Sequence, residues 1–352
     1  MKPTLRIFAS LSPGKWRFPM VAALGASLLL SLPSWAATAP TQLPPHSVYG
    51  TAPPMTLLVY SIAPDLLAGW NFPLDKMAGL GMSTNSEYLL PAARHLPVLG
   101  GWDPGDKPEL ERVLAIHPQL ALLWAPYLDN AGLRDALQRI DVPTLTVRLK
   151  SLNDYPAAYR LLGDRLGQAA RGTLLAADFQ KILDRLQQLR DSIPQTQRQT
   201  VYYAEGVDGL MTDPADSPHT EVIRAAGGDN VFTGKATALK GMERVSMGQV
   251  LAWNPDVILV QDPVFYRRVY GLPAWQGLKA VKGHRVYLVP RQPFNWMDRP
   301  PSFMQGLGAL WLAHVLYPQQ SKMDLNREIQ DFFQTFLQVN VTKTQAQAMW
   351  QP

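Results

Sequence analysis

Residues 111–123 read ERVLAIHPQLALL, and residues 248–260 read GQVLAWNPDVILV. Each is the end of a helix, a proline, and then an apolar run without alternation, as expected of a strand covered on both faces in a parallel sheet. The offset is 137 residues and it holds beyond the phrase. Pro126 falls on Pro263, and PTLTVR at 143–148 falls near HRVYLV at 284–289. A repeated supersecondary unit signals duplicated architecture. Two copies this far apart predict two similar α/β lobes with a ligand cleft between them.

Working outward, MTLLVYS at 55–61 reads as the first strand of lobe one, and VLGGW at 98–102 as a short strand with a glycine-rich exit. PELERVLAI at 108–116 opens on Pro with Glu109 and Glu111 in the first turns, which suits a helix N-terminus. LDNAGLRDALQRI and VPTLTVR supply the next helix and strand, so the units build a parallel sheet with helices on both faces. Residues 153–194 are helical by pattern, with Leu162, Leu166, Leu175, Phe179, Ile182 and Leu186 at helical spacings and Gly167 and Gly172 as points of bending. This stretch is the expected connector between the copies. In lobe two, TVYYAEG at 200–206 is a strand, SPHTEVIRAAGGDNVF at 217–232 a helix ending at two glycines, and 299–318 and 323–338 the last helices. The fold class is therefore α/β: two Rossmann-like lobes with parallel sheets, joined by a single long connecting helix.

The flanks read differently. Lys2, Arg6, Lys15 and Arg17 precede the apolar run MVAALGASLLLSL at 20–32 and the small residues around Ala36, the pattern of a cleaved signal peptide. The run is short for a bilayer span. The expected organisation is a signal peptide over 1–36, a flexible leader over 37–54, an N-terminal lobe over 55–152, the connector over 153–194, a C-terminal lobe over 195–338 and a fraying tail over 339–352. Cleavage takes four of the 33 basic residues and none of the 28 acidic ones, leaving a mature chain close to neutral, which gives no argument for nucleic-acid binding. The absence of cysteine excludes disulfides, thiolate ligands, a cysteine nucleophile and a lipidated N-terminal cysteine. An exported, soluble, monomeric protein of the Gram-negative periplasm fits these features.

Ligands in open parallel sheets sit beyond the C-terminal strand ends. That places Trp102, Trp124, Tyr127, Tyr203 and Trp296 at the cleft, either as a broad contact surface or as caps on the sheet cores. His219 opens a lobe-two helix, as a ligand contact or as a turn residue. Arg291 and Arg299 flank the last cleft loop as candidates to meet an anion. With one histidine near the cleft, no multi-histidine metal cage is expected. The sequence holds no G-x-S-x-G, H-E-x-x-H, phosphate-binding loop or G-x-G-x-x-G, so no enzymatic constellation is expected, and an exported enzyme is a less favoured alternative to a binding protein.

LERVLAIHPQLALLW at 110–124, MGQVLAWNPDVILV at 247–260 and AAGGDNVF at 225–232 together resemble the class III substrate-binding proteins of ABC importers for iron–siderophore complexes, haem and vitamin B12. The resemblance runs from about residue 55 to 338. It implies two lobes on a helical backbone, no resident cofactor, and delivery of cargo to an inner-membrane permease dimer with its ATPase. The cargo implied is an iron–siderophore or similar metal chelate; a subgroup similar to molybdate- and tungstate-binding proteins makes a small oxyanion the alternative. In such proteins one surface glutamate per lobe docks on the permease. The matching positions are Glu111 in lobe one and Gly248 in lobe two, a departure that leaves nearby Glu243 as the substitute.

Overall fold

Pro53 and Pro54 open a helix, and this resets where the first lobe begins. The computed structural model describes residues 46–74, 86–101, 109–127, 131–236 and 241–351, so the signal peptide and residues 37–45 lie outside the described residues. Strand β1 (Val48–Gly50) precedes helix α1 (Pro53–Ile62), all ten of whose residues are buried. The apolar run 55–61, expected as a strand, is a helix enclosed on every side. Periodicity alone does not separate a buried helix from a buried strand. The two prolines at the start, where an N–H has no intrahelical partner anyway, favour the helix. The first strand is instead VYG, within the stretch expected as leader.

Lobe one continues with α2 (Leu110–Ile116), β2 (Leu120–Ala125), α3 (Ala131–Gln138) and β3 (Thr144–Arg148). Its sheet runs β1-β2-β3, parallel throughout, with Gly50 opposite Leu122 and Trp124 opposite Val147. The connector is two helices, α4 (Tyr155–Arg165) and α5 (Ala169–Ser192). Gly167 takes φ 69° at the break, a conformation glycine adopts at little cost. The arms then pack so closely that a Cβ on Gly163 would stand 2.7 Å from the Cα of Gly172. Helix α5 reaches both lobes, at about 36 Å for 24 residues.

Lobe two comprises β4 (Thr200–Ala204), β5 (Met211–Thr212), α6 (Glu221–Ala225), β6 (Asp229–Asn230), β7 (Glu243–Arg244), α7 (Met247–Trp253), β8 (Val257–Val260), α8 (Pro263–Arg268), α9 (Lys279–Lys282) and β9 (Val286–Leu288). Its main sheet, β6-β4-β8-β9, is also parallel, and β5 pairs β7 antiparallel at the cleft end. Strands β1, β2 and β3 correspond to β4, β8 and β9. Where β6 flanks β4, lobe one has a single parallel bridge from Val48 to Leu67.

The C-terminal helices α10 (Met304–Leu316), α11 (Pro318–Ser321) and α12 (Leu325–Phe332), extended by a π-turn over Phe333–Leu337, return to lobe one. There the Tyr60 hydroxyl donates to the Leu337 carbonyl at 3.2 Å, while Arg185 clamps Glu328 with two bonds of 2.7 and 2.9 Å. The tail does not fray. Helix α13 (Lys343–Trp350) starts on a capping box between Thr342 and Gln345, buries Ala346 and Met349, and donates from Trp350 Nε1 to Asn326. Its apolar residues recur at helical spacing, which the polar composition conceals. Among the described residues no helix is long and apolar enough to cross a membrane.

Candidate functional site

The C-terminal strand ends of the two lobes carry different chemistry. In lobe one the buried groups are neutral, and the charged Arg148 that ends β3 is exposed. Asn71 donates from Nδ2 to the carbonyls of Gly50 and Gly100, both at 2.8 Å; Thr56 donates to Asn71 Oδ1 at 2.6 Å; and the Tyr49 hydroxyl donates to Gly100 O at 3.0 Å. These bonds tie the end of β1 to the Gly100–Gly101 turn, where φ is 73° and 94°. A Cβ at Gly101 would strike the Thr51 carbonyl, so the glycine is needed for close approach as well as for its backbone angle.

In lobe two the groups are charged and buried. Arg299 lies 2.8 Å from Glu205, 3.0 Å from Asp213 and 3.2 Å from Asp298. His219 Nδ1 stands 2.9 Å from Asp298 Oδ2, and the Tyr203 hydroxyl donates to Asp298 Oδ1 at 2.8 Å. Ser217 donates to Asp213, whose other oxygen accepts from the backbone of Met242. Burial works against charge on Arg299, but Asp298 and Glu205 outweigh it and hold its pKa above the usual arginine value. Burial also opposes ionisation of Asp298; Arg299 and His219 reverse this and hold its pKa below the ordinary aspartate value. Glu205 goes the other way. Its burial, with Asp298 and Asp213 beside it, exceeds the help from Arg299 and raises its pKa well above normal. With three carboxyls around one guanidinium, Glu205 is the one whose ionisation the site disfavours.

The sequence-expected residues fall into distinct groups in this frame. Arg299 is enclosed by the three carboxyls, so its charge is spent inside the lobe. Tyr203 lies on β4, next to its C-terminal end, and Trp296 donates Nε1 to the Gln292 carbonyl at 2.9 Å; both are 0% exposed and cap the core. His219 is buried in the Asp298 network. Burial lowers its pKa and the Asp298 hydrogen bond and charge raise it, with a net rise. Its backbone N–H and that of Thr220 go to Ser217, so this turn spends those donors internally. Trp124, 9% exposed, donates Nε1 to Leu149 O and packs on half-buried Tyr127 with ring centres 4.8 Å apart. Arg291 follows β9, donates to the Gln261 carbonyl at the end of β8, and has its pKa lowered first by burial. Trp102 lies outside the described residues. Glu111 is exposed on α2, and Glu243 is half-buried on β7 opposite Thr212.

Sequence reasoning missed Glu205, Asp213 and Glu221. The run 205–216 does carry four acids, which signals a cationic partner, but Arg299 stands 94 residues from Glu205. Glu221 at the start of α6 accepts from the backbone N–H of Leu152 at 3.0 Å, a direct bond from lobe two to the exit of lobe one. The lobes also meet where Trp70 packs on Phe294 at 6.0 Å. Among the described residues no group of three or more His, Asp or Glu side chains is placed to hold a metal ion.

Comparison with known proteins agrees with this architecture. The periplasmic binding protein family profile matches residues 65–293. A solved ABC transporter solute binding protein from Sulfurospirillum deleyianum is 36% identical, with a TM-score of 0.82 over 88% of this chain and 95% of that one. The molybdate-binding protein MolA of Haemophilus influenzae is 36% identical over 118 residues, a match spanning about a third of each protein. MolA solved with molybdate superposes with a TM-score of 0.66 at 20% identity, over 84% of this chain and 94% of that one. The vitamin B12-binding protein of Pectobacterium atrosepticum is 26% identical over 61% of this chain and 71% of its own length.

The chain belongs to the periplasmic binding protein family, as a class III solute-binding protein of ABC import systems. Proteins of this family bind and transport without catalysing a reaction, and they work in the periplasm with a cognate inner-membrane permease and ATPase. The cargo of the class is a small metal chelate or an oxyanion.

Proposed function

We propose that this protein carries a small metal oxyanion of the molybdate and tungstate class, held beyond the C-terminal strand ends between the lobes and delivered to the permease. The observation that carries this reading is the burial of the aromatics. A large planar chelate needs their faces, yet Tyr203 and Trp296 expose nothing and Trp124 is only 9% exposed. A small anion needs positive charge and nearby hydrogen-bond donors instead. Arg291 brings a guanidinium to the edge of lobe two, and the tight Gly100–Gly101 turn brings closely approached backbone at the edge of lobe one. The likeness to MolA supports the same cargo. A ferric or corrinoid chelate is the second reading, favoured by the part-exposed Tyr127 against Trp124 and by the longer match to the vitamin B12-binding proteins. The mature protein, cleaved near Ala36, acts in this reading as a soluble monomer. The test is calorimetric titration of the purified protein with sodium molybdate, sodium tungstate, ferric siderophores, haemin, cobalamin and nickel–histidine. Saturable micromolar or tighter binding of molybdate or tungstate is expected, weakened at least ten-fold by Arg291→Gln. Saturation by cobalamin or a ferric chelate alone would overturn the oxyanion reading.

A further inference from the structure

In each lobe one crossover carries the chain from an inner strand to the edge strand of the sheet: residues 126–143 from β2 to β3, and residues 261–285 from β8 to β9. The two are the same piece of the duplicated fold, and they carry different charge. The lobe-one crossover has Arg134 and Arg139 against Asp129, Asp135 and Asp141, two basic residues against three acidic. The lobe-two crossover has Arg267, Arg268, Lys279, Lys282 and Arg285 against Asp262 alone, five against one. Asp262 is spent locally, accepting from the backbone of Val264 and Phe265 at the start of α8. The mature chain is close to neutral, so this is a local concentration of positive charge.

The fold puts that charge outside and holds it there. Phe265, Val269, Trp275, Leu278 and Val281 turn into the lobe-two core, and the Phe265 and Trp275 rings meet at 4.7 Å. Between these anchors Arg267, Arg268, Lys279 and Lys282 are exposed. Lys279 pairs with Asp256, and Arg285 donates to the Val315 carbonyl, so these two are engaged. Arg267, Arg268 and Lys282 form no ion pair among the described residues. The Tyr270 ring lies on the His284 ring, 5.3 Å away and tilted by 25°, and Gln276 donates to the Tyr270 carbonyl. The stack draws the arm carrying Arg267 and Arg268 against the arm carrying Lys282. Tyr270 is 37% exposed; Val264, three and four residues ahead of the two arginines and so on their face of α8, is 41% exposed.

One cation in a last turn complements a helix end. Several gathered without counter-ions repel one another, and the lobe-one crossover shows that the fold does not require them. We infer that this flank of lobe two is a docking face for an anionic phospholipid surface. Headgroups supply the missing counter-charge to Arg267, Arg268 and Lys282. The interfacial layer of a bilayer also takes up an aromatic and an aliphatic side chain beside the cations, as Tyr270 and Val264 stand here, whereas a soluble polyanion uses the charge alone. The contact is reversible, because a few exposed cations attract a membrane without inserting into it. It keeps a binding protein in the layer of periplasm next to its permease. It rests on nothing about the cargo.

The experiment is co-sedimentation of the full mature chain with sucrose-loaded vesicles, either of phosphatidylcholine alone or of equal parts phosphatidylcholine and phosphatidylglycerol. Binding is expected to the anionic vesicles only, and to weaken as salt is raised and the Debye length shortens. Arg267→Gln and Lys282→Gln should each weaken it about five-fold, and the double variant about twenty-five-fold. Arg139→Gln, an exposed arginine of the lobe-one crossover, should leave it unchanged. The side chains replaced are exposed, so circular dichroism and the thermal midpoint should match the wild type. Equal binding to both kinds of vesicle, or undiminished binding by the double variant, would overturn the inference. So would binding to soluble polyphosphate with none to vesicles, because the flank would then serve a dissolved polyanion.

Discussion

The two lobes match at the back and differ at the front. At the back, α2 ends on His117 with φ 48° and ψ 64°, and α7 ends on Asn254 with φ 42° and ψ 62°. A buried proline follows each left-handed cap, and a buried parallel strand follows each proline. The duplicated phrase is a folding instruction: helix stop, reversal, strand start. At the front, lobe one closes its strand ends with hydroxyls, one amide and two glycines, and lobe two closes them with three carboxyls, an arginine and a histidine. The shared part makes a Rossmann-like lobe, and the divergent part makes the two walls of a cleft chemically unlike. A ligand between such walls meets a neutral backbone-rich side and a charged, internally balanced side.

That contrast predicts unequal costs. Arg299→Ala strands Asp213 and Asp298 in the interior without their counter-charge, and breaking a buried pair from one side costs about 3–5 kcal/mol. Asn71→Ala removes a neutral donor shared by two buried carbonyls and costs about 1–3 kcal/mol. Urea unfolding midpoints at pH 7 measure both. If the two substitutions cost the same, the charged network is not the principal clamp on the 290–302 loop and the contrast between the walls fails.

The same contrast confines pH sensitivity to lobe two. His219, facing Asp298, Asp213, Tyr203 and Arg299, has a pKa raised above 6.5 on folding. Its contribution is therefore fully present below pH 6.5 and is lost as the pH rises through the higher folded value. Asp298 has its pKa lowered below 3.8, so its contribution is present above that value and lost as the pH falls through the folded one. Glu205 has its pKa raised by burial, so its contribution is present below its ordinary value and lost as the pH rises through the folded one. The thermal unfolding midpoint is expected to fall as the pH rises above 6.5, and His219→Gln should flatten that slope while leaving the acid limb in place. A slope unaltered by the substitution would locate the titrating group elsewhere.

How far the sequence was legible follows the same division. The helix–proline–strand phrase is local, so its meaning survives without coordinates. Helix α1 was misread because an apolar run wrapped on all sides has no period to show, and only Pro53–Pro54 gives it away. The cleft walls are non-local. Arg299 meets Glu205 and Asp213 across 94 and 86 residues, and no spacing announces such a meeting. Tyr203 and Trp296, read as cleft contacts, are fully buried: Tyr203 turns into the core from the fourth residue of β4, and Trp296 turns into it from the loop after β9. Which way a ring turns is invisible in composition.

The smallest expected effect lies at the position where the two backs differ. Glu111 sits in the first turn of α2 and Gly248 at the matching point of α7, where a new Cβ meets only the Ser246 hydroxyl at 3.7 Å. Gly248→Glu therefore fits without strain. It replaces a poor helix former in a first turn where an acid is favoured, so stability should rise by about 0.5–1 kcal/mol. Glu111→Ala should shift stability by no more than about 0.5 kcal/mol. Neither side chain is at the cleft, so cargo affinity should not move. Stimulation of the reconstituted ATPase is where they part: Glu111→Ala should lower it, Gly248→Glu should raise it, and the two combined should move the acidic contact from one lobe to the other and recover part of the loss. Full activity in Glu111→Ala, with none gained by Gly248→Glu, would mean that neither position touches the permease. Loss of cargo affinity in either variant would mean that the α2 and α7 faces belong to the cleft, and the division into a shared back and a divergent front would have to be redrawn.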